Sequence, residues 1–543
     1  MKNLMKFLIF SCFLFQLGCQ PKEEETSATN QTPSTPNYSI SLDFTRIPNA
    51  GLDPFRVTAT ILKDNSATSG LNPVVSLSKG TRGAITDNGD GTYSFTVTPT
   101  QTGEHEVTVS YSNSSITRTP LVLYDVHSSW GQPMAVPGLV NTEGYEDGVT
   151  VTSDGEYVFV QTGPFHSSGV FVMQAARANS GCGGATKRLD PTRCEHPWIN
   201  QTIGPYTAPE RPGFFDGRFS GTTLLHNAHS WGVGIDQAPN FAISTMFYGF
   251  KRQSDGTYKE PFYLAFNDDN DGIIGPFGLS FMLNGDGTAK TLFTFNDPTD
   301  PDMVDLDNNG TDDVESYFDV YQTDIVLGQN HNLGDFVYSG TPGTHPVRGS
   351  TFNSTLVNFG KIGINGIAGT QGNSHLYYTG STIHSIWTDD EYDSGGDHGE
   401  IAVYTLDFGT IDSGTWTKVM LPTNVNVPGN SNEIQPYFTG SGLYFTRSGV
   451  SNPEVYYSAF SGSHTQAQLA NNTYWATPEK ILAQDPSGLV GSIAAIGEPT
   501  IATINGEEYL YFVYVVVRAY DTAKPMGTGL PDLNFQAGFI KKN

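Results

Sequence analysis

Three glutamates stand at related points of a weak internal repeat, and carboxyl groups of this kind can cleave glycosidic bonds. They are Glu146, Glu433 and Glu498, each near the opening of a strand-like segment. Glycoside hydrolysis needs two carboxyl groups roughly 5 to 10 Å apart, one of them with a raised pKa. Equivalent places in a repeat favour residues that brace each unit, since a catalytic pair would break the repeat. We therefore expect no catalytic residue, and an enzyme using these three glutamates is the alternative.

One short segment has the spacing of a calcium loop. Oxygen ligands at alternate positions, with a glycine for the sharp turn, allow a short loop to surround a hard cation. The pattern occupies Asp305, Asp307, Asn309, Gly310 and Asp313. It resembles the calcium loop of integrin-like FG-GAP propeller repeats, in which Thr311 would contribute its backbone carbonyl. The sequence thus predicts a structural Ca²⁺ ion, and the alternative is a solvated acidic hairpin loop.

Two other acidic stretches are less specific. The first has similar spacing without a distal acid and is a weaker calcium candidate, formed by Asn267, Asp269 and Asp271. The second is expected to be a long solvated loop on one face of the protein, and it contains Asp389, Asp390, Glu391, Asp393, Asp397, His398 and Glu400.

The four cysteines are consistent with export. Cys12 lies in the apolar leader, and Cys19 follows Leu17 and Gly18 at its end. Cys182 and Cys194 remain, and in an oxidising compartment such a pair is most simply a disulfide that closes a short loop. A metal site with neighbouring His196 is the alternative, although the two sulfurs lack the close spacing of zinc ligands.

An internal repeat organises the chain after Asp125. An aromatic residue, an acidic residue, a glycine turn and an aromatic-rich strand occur in order at Trp130, Glu146, Gly155, Tyr157 and Phe159, at Trp416, Glu433, Gly442, Tyr444 and Phe445, and at Trp475, Glu498, Gly506, Tyr509 and Tyr511. Weaker copies lie at residues 242–266, 275–295 and 372–387. About six units of three or four strands predict a β-propeller, because radial packing protects the sheet edges. Five or seven blades remain possible.

Two propeller families resemble parts of this repeat. Residues 146–161 and 433–447 look like TolB-type blades, with a turn at Ser153, Asp154 and Gly155. The string that begins at Glu498 and Pro499 is similar to arabinanase-type glycosidases, which carry their carboxylates on inner strands. Those families usually open the first such strand with Asp-Pro, whereas this chain has Glu146, Asp147 and Gly148.

The preceding segment alternates apolar and polar residues with a period of two. Strand-length runs at residues 55–62, 93–97 and 106–111 each predict one buried and one wet face. The string Asp90, Gly91, Thr92 and Tyr93, followed by Pro99 and Gly103, resembles the closing hairpin of filamin-type and invasin-type Ig-like repeats. The resemblance implies a β-sandwich that acts as a spacer or adhesive module.

The N-terminus carries an export address. Lys2 and Lys6 precede an apolar stretch that is too short to span a bilayer permanently. Leu17, Gly18 and Cys19 resemble a bacterial lipobox, in which the cysteine is lipidated. The residue after Cys19 is Gln20. Asp at this place would resemble an inner-membrane retention signal, so its absence suggests the outer membrane. We expect a lipoprotein signal peptide at 1–18, a flexible tether at 19–37, an Ig-like sandwich at 38–125 and a propeller at 126–543.

The charge composition limits the classes of molecule that the protein can bind. The chain has 28 Lys and Arg against 55 Asp and Glu, a net charge of -27, so nucleic acid is disfavoured. The sequence as a whole predicts an all-β outer-membrane lipoprotein, periplasmic or surface-exposed, held to the membrane by its N-terminal lipid. Its propeller face would bind a glycan or a protein, and the alternative is a carbohydrate-active enzyme.

Overall fold

The computed structural model describes residues 36–49, 51–141, 145–163, 246–268, 277–295, 319–337, 351–354, 356–365, 371–390, 399–411, 413–428, 431–448, 453–518 and 532–543. Regular structure in these residues is almost all β, which confirms the predicted class. The described part of the chain contains one short α-helix, α1 (Gln466–Leu469), and one 3₁₀ turn at Asn472–Tyr474. None of its described helices has the length and apolarity needed to cross a membrane.

The first domain is an Ig-like sandwich of two main sheets. One sheet has the order β1-β2-β7-β5, with β3 beside β2 and β6 beside β7, and the other has the order β10-β9-β4. Alternate residues of β2 and β7 are buried between the sheets, as the period of two predicts. The strands are β1 (Tyr38–Arg46), β2 (Phe55–Lys63), β3 (Ser66–Ala67), β4 (Val74–Leu77), β5 (Thr81–Arg82), β6 (Thr86–Asp87), β7 (Thr92–Thr98), β8 (Gly103–Glu104), β9 (Val107–Tyr111), β10 (Ser114–Arg118) and β11 (Leu121–Val122).

The second domain is a β-propeller with five sheets among the described residues. The first three run β14-β15-β16-β17-β21-β22, β18-β19-β20-β23 and β24-β25-β26-β27. Their strands are β14 (Tyr145–Val151), β15 (Tyr157–Gly163), β16 (Met246–Arg252), β17 (Tyr258–Asp268), β18 (Phe277–Leu283), β19 (Thr288–Phe295), β20 (Asp319–Val326), β21 (His331–Val337), β22 (Thr351–Asn353), β23 (Gly360–Lys361), β24 (Gly372–Thr379), β25 (Thr382–Asp390), β26 (Glu400–Phe408) and β27 (Thr415–Met420).

The last two sheets are completed by the segment that follows the Ig-like domain. Their orders are β12-β31-β30-β29-β28 and β13-β34-β33-β32, so strands from the start of the domain pair with strands from its end. This pairing closes the ring and protects the outer edges of both sheets. The strands are β12 (Asp125–Val126), β13 (Met134–Ala135), β28 (Asn432–Phe438), β29 (Gly442–Ser448), β30 (Glu454–Ala459), β31 (Glu479–Ala483), β32 (Ile493–Ile504), β33 (Glu507–Arg518) and β34 (Asp532–Lys541).

The described sheets number one fewer than the predicted six because one repeat copy is not a separate unit. Residues 242–266 contain β16 and β17, and these strands extend the sheet that begins with β14 and β15. A long stretch of sequence, from Gly163 to Met246, separates the second and third strands of that sheet. The spacing therefore gave two apparent repeat units where the structure has one sheet.

The first strand of each sheet lies against the axis of the propeller. β14, β18, β24, β28 and β32 contact one another in a closed ring. Side chains link successive strands of this ring by hydrogen bonds to the neighbouring backbone. Thr150 Oγ1 donates to the Leu279 carbonyl at 3.0 Å, and Tyr437 Oη donates to the Ile501 carbonyl at 2.9 Å. The ring fixes the relative positions of all five inner strands.

The Ig-like domain packs against the flank of the last sheets through partly buried polar contacts. The Arg46 guanidinium pairs with Asp53 at 2.6 Å and donates to the carbonyls of His127 and Trp130. Glu104 accepts hydrogen bonds from Tyr514 Oη at 2.8 Å and from Arg518 at 2.9 Å. The two domains therefore share an interface that orders their relative position.

Replacing Arg46 with alanine should destabilise the chain, because Asp53 and two carbonyls lose a largely buried donor. The Arg46 side chain is only 6% exposed. We expect a loss of about 2 to 3 kcal/mol in the free energy of unfolding, measured by chemical denaturation. Arg56→Ala, on the exposed face of β2, is the matched control and should change stability by less than about 0.5 kcal/mol. Equal effects of the two variants would contradict the buried role of Arg46.

Candidate functional site

Polar side chains gather where the five inner strands begin. At this end of the axis the start of each first strand pairs with the end of the second strand, as in Gly372 with Asp389 and Asn432 with Ser448. The second strand of every sheet therefore ends here, and the third strand begins here. The opposite end has short hairpins, such as the turn between β14 and β15. We call the end where the polar side chains gather the carboxyl end, after the carboxyl groups of Asp147, Asp389 and Glu498.

Each inner strand contains a bulge with one residue in the left-handed backbone region. The register shifts between Asp147 and Thr150, and equivalent shifts occur in the other four inner strands. The left-handed residues are Gly148 (φ 58°), Gly278 (φ 60°), Asn373 (φ 42°), Gln435 (φ 55°) and Glu498 (φ 56°). Glycine adopts this conformation readily, but a long side chain costs about 1 to 2 kcal/mol there. Gln435 and Glu498 therefore hold strained positions at the carboxyl end.

Glu146 and Glu433 occupy equivalent places, two residues before the bulge residue. Both side chains are fully buried. Glu433 accepts hydrogen bonds from Arg447 at 2.7 Å, from Ser431 at 2.9 Å and from the Val427 amide at 3.2 Å. Burial raises the pKa of Glu433, and these donors partly oppose the rise. The contacts give Glu433 a bracing role.

Glu498 does not occupy the place of Glu146 and Glu433. It is the bulge residue itself, two positions later, where the other strands have Gly148, Gly278, Asn373 and Gln435. The three glutamates are therefore not equivalent, contrary to the repeat alignment. The alignment misplaced Glu498 because it followed the aromatic and glycine landmarks and had no signal for the bulge. Glu498 is the member of the set that breaks the repeat.

Glu498 and Gln435 are held together by reciprocal hydrogen bonds. Gln435 Nε2 donates to Glu498 Oε1 at 2.7 Å, and the Glu498 amide donates to Gln435 Oε1 at 3.1 Å. A side chain at Gly497 would come within 3.0 Å of the same Gln435 oxygen, so this glycine permits the close approach. Since Nε2 is a donor, Glu498 Oε1 is an acceptor, and a proton on this carboxyl belongs on Oε2.

The surroundings of Glu498 favour the protonated form. Burial raises the pKa of Glu498 well above its ordinary value of 4.5, and the adjacent Asp147 carboxyl raises it further. The Gly148 amide opposes this effect, and the charge of Asp389 adds to it. Glu498 Oε2 is buried without a well-formed hydrogen bond from any residue in the described ranges. Ionisation of one carboxyl makes ionisation of the adjacent one more costly, so the pair of Glu498 and Asp147 favours retention of a proton.

Asp389 completes the carboxyl cluster. It is the penultimate residue of β25 and is 1% exposed. Its side chain accepts hydrogen bonds from the backbone N–H of Gln435 at 2.5 Å and from Asn373 Nδ2 at 2.7 Å. Gln435 therefore connects Asp389 to Glu498, and the side chains of three different sheets meet at the axis. This arrangement can donate one proton and accept another.

Sequence reasoning missed Asp147, Asp389 and Gln435 as site residues. Asp389 and Asp390 were expected in a solvated loop, but both are buried strand residues, and Asp390 pairs with Lys418. A run of acidic residues looks like a solvated loop unless the strand end within it is recognised. β25 is buried without interruption from Ser385 to Asp390, so no alternation in the sequence marked where the strand ends.

The other predicted sites fall largely outside the described residues. This holds for the lipidation site Cys19, for the pair Cys182 and Cys194, and for the calcium loop at Asp305, Asp307, Asn309, Thr311 and Asp313. In the weaker calcium motif, Asp269 and Asp271 also lie outside, while Asn267 belongs to β17, where its backbone pairs with Asp335. Within the described ranges, no three His, Cys, Asp or Glu side chains form a metal-binding group.

One known family matches the first domain. Residues 34–127 match the family model described as Invasin, domain 3. No curated protein matches the chain in sequence.

Similar solved structures include three with 10% identity or less. An α-L-arabinofuranosidase from Lactobacillus brevis has 10% identity and a TM-score of 0.29, over 54% of this chain and 86% of that chain. A glycoside hydrolase has 8% identity and a TM-score of 0.35, over 76% and 92%. The β-propeller domain of the Trilobed protease from Pyrococcus furiosus has 9% identity and a TM-score of 0.23, over 92% and 93%.

Amide substitutions should separate Glu498 from Glu433 by the sign of their effect on stability. The folded chain binds the Glu498 proton more tightly than the unfolded chain does, so this stabilisation is present below pH 4.5 and is lost as pH rises through the folded pKa. Glu498→Gln keeps the protonated shape, so we expect a higher melting temperature than wild type at neutral pH and a smaller difference at pH 4.

Glu433→Gln should instead lower stability by about 1 to 3 kcal/mol, because an amide has one acceptor oxygen where three donors converge. Thermal unfolding between pH 4 and pH 8 measures both effects. The control is Glu507→Gln, whose side chain is 50% exposed and pairs with Lys541. A neutral-pH loss of stability in Glu498→Gln as large as that in Glu433→Gln would show that Glu498 is also a brace.

Proposed function

We propose that the chain is a carbohydrate-active hydrolase whose reacting groups lie at the carboxyl end of the propeller axis. The observation that supports this is the Glu498 carboxyl, which lies on a strained bulge beside Asp147 and whose pKa is raised well above its ordinary value by burial and by that neighbour. A carboxylic acid that keeps its proton at neutral pH can act as a general acid. Strained backbone and a raised carboxyl pKa in one place also favour a functional site.

The proposed reaction uses the two carboxyls in different roles. Glu498 transfers its proton from Oε2 to the glycosidic oxygen as the bond from that oxygen to the anomeric carbon breaks. A water molecule adds to the anomeric carbon, and Asp147, which is only partly buried, accepts the proton that this water loses. Gln435 is a positioning residue, since its hydrogen bond to Oε1 leaves Oε2 to carry the proton.

The charge of the site favours a neutral glycan. Glu498, Asp147 and Asp389 are acidic, and two nearby cations, Arg447 and Lys418, are already paired with Glu433 and Asp390. A uronic acid or a sulfate group would be repelled by these carboxylates, and neither Arg447 nor Lys418 is free to neutralise its charge. Sugar hydroxyls, by contrast, can donate hydrogen bonds to ionised carboxylates.

Non-catalytic binding of a glycan or a protein at the same end is the second candidate. The contact between Glu498 and Asp147 favours it, because glycosidase carboxyl pairs stand at least about 5 Å apart. In this reading the Ig-like domain is a spacer or an adhesive module. The two candidates share the site and differ in turnover.

Substrate turnover tests the first candidate directly. The purified chain without its leader is incubated with neutral polysaccharides, and both retention and release of reducing ends are measured. We expect release by wild type and a fall of about 100-fold or more in kcat for Glu498→Gln and for Asp147→Asn, because each removes a proton-transfer group. Glu507→Gln should keep full activity. Retention without release would favour the binding candidate.

We also propose that the loop containing Asp305 binds Ca²⁺.

We further propose that Cys19 carries a lipid that anchors the protein to the outer membrane. Full-length chain expressed in a Gram-negative host should partition with membranes, because an acylated terminus has high affinity for a bilayer. Cys19→Ser should move the protein to the aqueous fraction. Cys12→Ser is the matched control and should leave partitioning unchanged. Membrane association of both variants would contradict the anchor.

A further inference from the structure

A cavity lies on the propeller axis at the end opposite to Glu498. It has a volume of about 430 Å³, within the range of small-molecule sites. The ring of inner strands supplies its inner wall, and the short hairpins between the first and second strands supply its mouth. All of its lining residues lie in described parts of the chain.

The wall is rich in hydroxyl groups and aromatic rings. Thr150, Ser280 and Thr500 come from three inner strands, and Tyr377, Tyr378 and Tyr437 add rings. Ser153 Oγ and Tyr378 Oη approach to 3.4 Å across the mouth, which joins the first sheet to the third. Thr500 is buried, and its hydroxyl has no hydrogen-bond partner in the described part of the chain. A buried hydroxyl is costly to leave without a hydrogen bond, so a ligand group that reached the Thr500 hydroxyl would remove this cost.

The wall is also electrically neutral. Burial lowers the pKa of His375 to about 4, so this imidazole is uncharged at neutral pH. Glu508 is the acidic group at the cavity, and it is paired with Lys542 at 2.7 Å and hydrogen-bonded by Tyr444. A charged ligand would therefore find no free counter-charge among these groups, while a neutral hydroxylated molecule would find donors, acceptors and ring faces.

We propose that this cavity binds a small neutral sugar, and that the Thr500 hydroxyl forms one of its hydrogen bonds. The site is separate from the carboxyl cluster and does not depend on the hydrolase proposal. It gives the axis two ends with different chemistry: carboxyls at one, and uncharged hydroxyls and rings at the other.

Titration calorimetry with xylose, arabinose and glucose tests the proposal, with glucuronate and glucosamine as charged counterparts. We expect saturable binding of at least one neutral sugar and weaker or no binding of the charged ones. Thr500→Val keeps the shape but lacks the hydroxyl, and it should weaken binding about tenfold. Thr500→Ser keeps the hydroxyl and should bind like wild type.

Two further measurements keep the test specific. Glu498→Gln should leave this binding unchanged, which separates the cavity from the carboxyl end. Thr500→Val should melt at or above the wild-type temperature, because it removes an unpartnered hydroxyl, so lost binding would not reflect unfolding. The proposal is overturned if no neutral sugar binds, if charged sugars bind equally well, or if Thr500→Val binds like wild type.

Discussion

The left-handed bulge in each inner strand is the constraint on which the site depends. A regular strand points successive side chains to opposite faces, so it cannot turn a residue toward the axis without a break in register. The five bulges provide this break at the same height, and the ring of side-chain hydrogen bonds keeps the strands aligned. The bulge residues of five sheets consequently surround one point at the carboxyl end.

The residue type at the bulge distinguishes the inner strands that only support the site from those that contribute side chains to it. Gly148 and Gly278 accept the left-handed backbone at little cost, whereas Gln435 and Glu498 adopt it against the steric preference of a side chain. Such strain persists only where surrounding contacts hold it. The reciprocal hydrogen bonds between these two residues supply that hold, and they also place the Glu498 proton on Oε2. The bulge therefore holds Glu498 at a point where its backbone is strained and where burial and Asp147 raise the pKa of its carboxyl.

Periodicity predicted the architecture well and the site poorly, for a physical reason. The alternating runs around Phe55 and Tyr93 predicted the Ig-like strands, and the aromatic and glycine landmarks predicted a propeller. Periodicity reports which face of a strand is buried. It does not report a bulge, which shifts the register of one strand without altering composition, and so Glu498 was grouped with Glu146 and Glu433. Likewise, the long stretch after Gly163 gave one sheet the appearance of two units, because repeat counting assumes short connections.

The Ig-like domain is more closely joined to the propeller than a free spacer would be. The segment that leaves it supplies β12 and β13, which complete two sheets of the ring. Glu104 contacts Arg518, the last residue of β33, at one end of the last sheet. Arg46 donates to the Trp130 carbonyl, and Trp130 pairs with Lys542 at the other end of that sheet. Contacts at both ends of one sheet fix a direction as well as a distance. The domain therefore lies along the flank of the propeller, and its position is fixed relative to the ring of inner strands that holds the carboxyl cluster.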